Sequence, residues 1–246
     1  MHRSTNRILT THVGSLVRPP DLVALMRAQR AGEPVDPGTY EACLKRSVAD
    51  IVRRQAETGI DVVSDGEFGK AISWSRYVLE RMTGFERRAR PDELTDFPAA
   101  AMGKDRRDFA EFYREYDATQ GFTELTGWVC TGPIAYSGHA AIQRDIADLK
   151  AALTGIEVEE VFMTAVSPTS VAPDREDLHY RDDESYLYAV ADALNVEYRA
   201  IVDAGFVLQV DDAYMAMTYD KMVPPGTLED YRRWAALRVE VLNHAL

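Results

Sequence analysis

Only two cysteines, Cys43 and Cys130, occur in 246 residues, too few to staple a fold of this size through disulfides. Both are expected to be reduced thiols, Cys43 in a helical run and Cys130 in an extended one. No apolar stretch approaches the roughly 20 residues of a membrane span, and the first seven residues are polar with no apolar segment behind them. A cytoplasmic protein with no membrane partner is expected. Positive charge is also short: 28 Lys and Arg against 40 Asp and Glu leave a net charge of -12, which repels phosphate backbones, and no basic stripe interrupts it. This excludes nucleic acid as an expected partner. Zinc-ligand spacings of the Cys-x-x-Cys, His-x-Cys or His-Glu-x-x-His kind are missing. So are a Walker loop, a G-x-G-x-x-G turn and a G-x-S-x-G elbow, which removes local support for nucleotide binding and serine hydrolysis.

What is present is a balanced globular composition, 46% hydrophobic, enough to bury a core. Short β-branched runs alternate with longer segments of helical period, the pattern of a parallel sheet with helical crossovers. Strands are predicted over 8–15, 60–64, 128–134, 161–166 and 206–210. Helices are predicted from Asp21 as N-cap, over about 39–58 with Gly59 as the stop, over 72–82, over 142–153, over 187–201 ended by Gly205, and from about Leu228 onward. The fold class is α/β, a TIM-type (β/α)8 barrel of which about the first five units are present. An eight-stranded barrel needs about 250 residues or more, and the polar, proline-broken stretch 83–122 reads as an excursion outside the barrel, a hairpin or lid. With no repeat and no linker, residues 1–246 are expected to form a single partial barrel domain.

In such a fold, function collects at the carboxyl ends of the strands. Polar groups recur there: His12, Gly14 and Ser15; Asp65 and Glu67; Thr131, Gly132 and Pro133; Ser167 and Pro168; Asp211 and Asp212. Each has a plain structural reading as well. Asp-Gly is a common turn pair, Asp211-Asp212 can cap the next segment, and a lone histidine is more often a hydrogen-bonded structural residue than a catalyst. Their joint placement at one rim is what points to a pocket for a polar small molecule.

The segments Thr11-His12-Val13-Gly14-Ser15 with Arg18-Pro19, Gly59 through Glu67, Thr131-Gly132-Pro133 and Leu208 through Asp212 resemble, in order and context, the cobalamin-independent methionine synthases. They are especially similar to the short single-barrel relatives that include epoxyalkane:coenzyme M transferases. The resemblance runs over essentially the whole chain. It implies a methyl- or alkyltransferase acting on a small thiol such as homocysteine or a coenzyme M-like compound, using zinc and no cobalamin, with a methyl or alkyl donor as second substrate. It further implies that Ser15 holds the carboxylate of homocysteine, that Glu67 and Asp211 hold its amino group, and that His12 lines the pocket. Lys70 becomes a possible anion contact for a thiol with another head group. The family's zinc ligands begin with a His-x-Cys beyond the helix that ends at Leu246, so no metal ligand is expected in this chain and no catalytic residue is assigned. A truncated form, a second chain supplying the remaining strands and metal, and loss of the chemistry all remain open. A non-catalytic binding or partner subunit with a relic pocket is the alternative, and a metal-independent lyase or isomerase using Glu67 and Asp211 as an acid/base pair is a third reading.

Overall fold

The computed structural model describes residues 1–70, 77–89, 103–120, 126–171 and 176–246. In chain order these form α1 (Pro20–Arg30), α2 (Pro37–Glu57), the short β1 (Val62–Val63), a 3-10 turn (Tyr77–Arg81), β2 (Phe85–Ala89), α3 (Lys104–Asp108) and α4 (Ala110–Gln120). There follow β3 (Thr126–Cys130), α5 (His139–Ala152), β4 (Glu160–Val166), α6 (Pro168–Val171), β5 (Glu176–Asp177), α7 (Asp183–Asp203), β6 (Val207–Asp211), α8 (Ala213–Met222) and α9 (Leu228–Ala245). No helix among the described residues is long and apolar enough to cross a membrane. The residues group into two compact units, one of Met1–Arg81, Ser137–Val166 and Val196–Val210, the other of Met82–Tyr136, Ser167–Asn195 and Asp211–Leu246.

In the first unit, α2 begins where Asp36 accepts the Thr39 amide at 2.7 Å and Pro37 takes the first helical position, which needs no donor. It ends at Gly59, whose φ of +87° a side chain would resist. Helix α1 starts two residues earlier than expected: Pro19 is its N-cap, Pro20 its first residue, and the Asp21 carboxylate accepts the Leu22 amide from within the first turn. The apolar stripe of α2 (Leu44, Val48, Val52) and that of α5 (Ile142, Ile146, Leu149) are buried where the two helices pack. Each such side chain contributes about 1.5–3 kcal/mol on leaving water. The unit also holds a parallel sheet in the order β1-β4-β6, with Val62 opposite Glu160 and Val63 opposite Val161. From Phe162 onward β4 is buried at every residue, as a central parallel strand must be.

Two expected strands behave differently. The run 8–15 contributes a single parallel bridge, Thr11 to Val62. Ile8 and Val13 are exposed there, and the Asp61 carboxylate takes the Thr10 amide that a ladder would have used. The run predicted over 128–134 is β3, and it does not join the parallel sheet. In the second unit it pairs antiparallel with β2, Phe85 opposite Cys130 through Ala89 opposite Thr126, and parallel with β5. The antiparallel partner comes from the stretch expected to lie outside the barrel, so the strand count of a continuous five-stranded parallel sheet is corrected to three strands plus one bridge among the described residues. The predicted helix over 72–82 lies partly outside the described residues, and its described end is the 3-10 turn. Residues 90–102 of the expected excursion also lie outside them, while its described parts carry β2, α3 and α4.

Gly84 makes the β2–β3 pairing possible. Its φ is +86°, its carbonyl accepts the amides of Thr131 and Gly132, and a Cβ on it would stand 2.6 Å from the Gly132 oxygen and 2.8 Å from the Pro133 oxygen. Both neighbours are backbone and cannot swing away. Gly84→Ala is therefore expected to destabilise the protein by about 2–3 kcal/mol, combining the left-handed penalty with overpacking. Urea unfolding checks this, and a midpoint equal to that of the unaltered protein refutes it.

Candidate functional site

The site is built on the turn that follows β1. Ser64 is fixed at both main-chain groups by the buried amide of Gln55, which donates to its carbonyl at 2.7 Å and accepts its amide at 3.2 Å. Two consecutive left-handed residues follow, Gly66 at φ +68° and Glu67 at φ +62°. Gly66 is needed because a Cβ there would press on Phe68 at 3.1 Å and on the Leu16 side chain at 3.2 Å. For Glu67 the conformation costs about 1–2 kcal/mol. Strain of this kind persists only where surroundings enforce it, and it collects at functional sites.

The surroundings that enforce it are polar. Glu67, 1% exposed, accepts the Thr164 hydroxyl at 2.9 Å on one carboxylate oxygen and the Ser15 hydroxyl on the other. The Lys70 ammonium lies 3.6 Å from the first oxygen and also donates to Thr164. The Arg18 guanidinium closes the loop from outside, donating to the carbonyls of Glu67 at 2.6 Å and Lys70 at 3.0 Å. Burial pushes the Glu67 carboxyl up, but Lys70 and the two hydroxyls together outweigh it and hold the carboxyl below its ordinary value. Burial likewise pushes the Asp65 carboxyl up, and there Lys70 and the Glu67 amide do not compensate. It also pushes the Arg18 guanidinium down, against the attraction of Glu67 and Asp65. One acid is thus kept ionised and its neighbour two residues away resists ionisation.

Lys70 is fixed from a further side by the face of Tyr77, 4.8 Å from the ring centroid. Tyr77 donates its hydroxyl to Glu197 at 2.6 Å, and the Arg81 guanidinium stacks on the same ring at 4.9 Å. Arg81 in turn pairs with Asp145 at 2.5 Å and Glu197 at 3.3 Å. Tyr77, Arg81, Asp145 and Glu197 are all buried. The Tyr77 hydroxyl is held well above its ordinary range, by burial first and by the Glu197 charge second. Gly69 completes the fit, since a Cβ there would stand 2.7 Å from an Asp145 oxygen.

Of the residues the sequence pointed to, the structure brings Ser15, Glu67 and Lys70 together. His12 makes a local contact, its Nε2 2.9 Å from the Gly14 carbonyl. Asp211 closes β6 and is described with the second unit, where its carbonyl accepts the Ser167 amide at 3.0 Å; Asp212 beside it accepts the Ser170 hydroxyl at 3.3 Å. Thr164, Tyr77, Arg81, Asp145 and Glu197 had not been singled out. A signal existed for three of them: Thr164 is the one hydroxyl in the apolar run of β4, while Asp145 and Glu197 fall on the apolar faces of α5 and α7 at spacings of three and four from Ile142, Leu149, Leu194 and Ile201.

For a metal the donors do not fit. Among the described residues no three His, Cys, Asp or Glu side chains converge. A cysteine binds zinc as its thiolate, yet burial pushes the Cys130 thiol up to about 11 and raises the Cys43 thiol as well. Cys43 lies against Asp21 and Arg46, and Cys130 donates to the Gly132 carbonyl. Two clefts, of about 430 and 390 Å³, are lined by residues such as His2, Arg7, Gly59, Asp61 and Glu159. They lie at the amino ends of β1 and β4, the face that in βα folds serves stability rather than chemistry, so the buried cluster is the better site despite their size.

Comparison with known proteins gives the cluster its context. No protein-family model matches the chain. The methionine synthase of Sulfolobus acidocaldarius is 24% identical over 204 residues, covering 82% of this chain and 51% of that protein. The chain is thus similar to a methionine synthase over most of its length. A B12-independent methionine synthase from Shewanella sp. W3-18-1, solved in complex with selenomethionine, superimposes with a TM-score of 0.64 at 17% identity over 96% of this chain and 58% of that one. A second solved chain, from Listeria monocytogenes, gives 0.62 at 22% identity over 98% and 62%. At these identities the solved structures speak for the fold alone. The chain spans about half the length of the curated relative it matches.

Proposed function

We propose that this chain supplies the substrate-binding part of a methyl- or alkyltransferase acting on a small sulfur compound. One observation carries the reading: the carboxylate of Glu67, strained at φ +62° and held ionised, meets Ser15, Thr164 and Lys70 at the carboxyl ends of β1 and β4, the end where βα folds bind substrate. Similarity to a methionine synthase over 82% of the chain supports transfer to sulfur as the reaction class. Ser15 is an exposed residue whose hydroxyl donates to the buried Glu67, which makes it our candidate for meeting an entering head group. The chain's own residues bind and orient; zinc, implied by the resemblance, finds no matching donor set among the described residues, and no step is assigned to it. A general acid/base role for Glu67 is disfavoured, because its carboxyl is held below the ordinary range and both its oxygens are engaged.

Two measurements test the proposal. Metal analysis of the chain alone is expected to find less than one zinc per chain, and transfer to a small thiol is expected when a polypeptide carrying a His-x-Cys segment is added. The same transfer should fall with Ser15→Ala and Glu67→Gln. One tightly held zinc per chain, lost on replacing Cys130 or His12, would overturn the reading that this chain's own residues bind substrate and not metal. Transfer unaffected by either substitution removes the cluster from the site, and binding without transfer favours the non-catalytic subunit.

A further inference from the structure

We infer that Lys70 is a built-in cation standing where a ligand ammonium would otherwise pair with Glu67, so that the site takes a sulfur compound with an anionic head group and no amino group beside it. The inference rests on the reading of the Glu67 cluster as the head-group site and narrows the substrate class within it.

The argument is one of charge and room. Glu67 is buried, and a buried carboxylate keeps its charge only if a cation and hydrogen bonds compensate it. In this chain the compensation is complete without any ligand: Lys70 at 3.6 Å, the Thr164 hydroxyl at 2.9 Å and the Ser15 hydroxyl. Lys70 is not a loose side chain that a ligand could displace. It is 8% exposed, donates to Thr164 and lies over the Tyr77 ring, itself fastened by Glu197 and Arg81. Arg18 brings a second cation to the same turn through the carbonyls of Glu67 and Lys70. Asp65, 6% exposed, lies in the same turn, and burial pushes its carboxyl up against the attraction of Lys70. An ammonium entering beside Ser15 would meet a cation already in place and an acceptor already occupied, whereas a carboxylate or sulfonate can take the Ser15 hydroxyl if it turns away from Glu67, which Lys70 and Thr164 continue to hold.

The test uses thioethers, which need no metal to bind. Methionine and 4-(methylthio)butanoate are identical except for the amino group, and 2-(methylthio)ethanesulfonate asks which anion is preferred. In calorimetric titrations of the full chain, 4-(methylthio)butanoate is expected to bind at least as tightly as methionine, and Lys70→Met is expected to move the ratio toward methionine by about tenfold or more. Tighter binding of the sulfonate than of the butanoate also supports the inference, assigning the anion. Should Lys70→Met fail to fold, Glu67→Gln/Lys70→Met removes the pair as a neutral unit and is expected to keep the preference against methionine. A wild-type preference for methionine of about tenfold or more, or a folded Lys70→Met with an unchanged ratio, overturns the inference while leaving the head-group site standing. Failure of all three compounds to bind the wild-type chain overturns the head-group reading itself, and this inference with it.

Discussion

Replacing Arg81 by methionine is expected to cost the fold about 3–5 kcal/mol, the range for removing one partner of a buried ion pair. Arg81 answers two carboxylates at once, Asp145 at 2.5 Å and Glu197 at 3.3 Å, and all three side chains are less than a tenth exposed. Methionine fills much of the volume and keeps the helical turn, so the loss is one of charge compensation rather than of packing. Asp145 retains Arg144 at 2.9 Å and Glu197 retains the Tyr77 hydroxyl, which keeps the expected cost at the lower part of that range. A buried carboxyl stripped of its cation takes up a proton more readily, and an acid whose folded pKa is raised contributes stability below the unfolded value that is lost as pH rises. The variant should therefore lose most near neutral pH and recover part of its deficit in acid. Urea unfolding at neutral pH and near pH 4 measures both. A loss below about 1 kcal/mol, or an equal loss at both pH values, would show that the network contributes little.

That network also marks where reading the sequence reached its limit. The turn Asp65-Gly66-Glu67, the helix stops at Gly59 and Gly205 and the central strand β4 were legible, because each depends on neighbours close in sequence: a left-handed glycine, a capping acid, a β-branched run. Pairing of β3 with β2 was not, since both strands read only as extended chain and the choice between a parallel and an antiparallel partner is made by the close approach of Gly84 to Gly132 and Pro133. The site followed the same rule. Ser15, Glu67 and Lys70 stood out as polar residues just after apolar runs, whereas Arg81, Asp145 and Glu197, separated by up to 116 positions, acquire a role only when three elements fold onto one another. Acids on the apolar stripes of α5 and α7 were the available sign, because a carboxylate on a buried face requires a partner. His12, conspicuous by residue type, bonds within its own turn.

Glu67→Gln is expected to destabilise the chain by about 3 kcal/mol at neutral pH, and to do so less as the pH falls. Glutamine keeps the size and the left-handed strain of the position, and its amide can still meet Ser15 and Thr164; what it removes is the negative charge 3.6 Å from the Lys70 ammonium, which is then buried without its counterion. The pH dependence follows from the native carboxyl. Burial raises it, but Lys70, Ser15 and Thr164 together lower it further, so its folded value lies below the unfolded value of about 4.3. A depressed carboxyl contributes stability that is fully present above the unfolded value and is lost as pH falls through the folded one. The substitution abolishes that contribution, so the gap between wild type and variant should be widest from about pH 6 upward and close progressively in acid. Asp65 works in the opposite sense: its raised carboxyl contributes stability below its unfolded value that fades as pH rises. Asp65 is present in both proteins, and removal of the Glu67 charge relieves part of the rise in its carboxyl, so the difference between them reports the coupled pair with Glu67 as its changed member. Parallel urea titrations from pH 7 to pH 3.5 decide the matter. A gap that is constant across that range would mean that Glu67 acts through shape alone, and a gap that widens in acid would contradict the depressed carboxyl and, with it, the ion pair on which the head-group site is built.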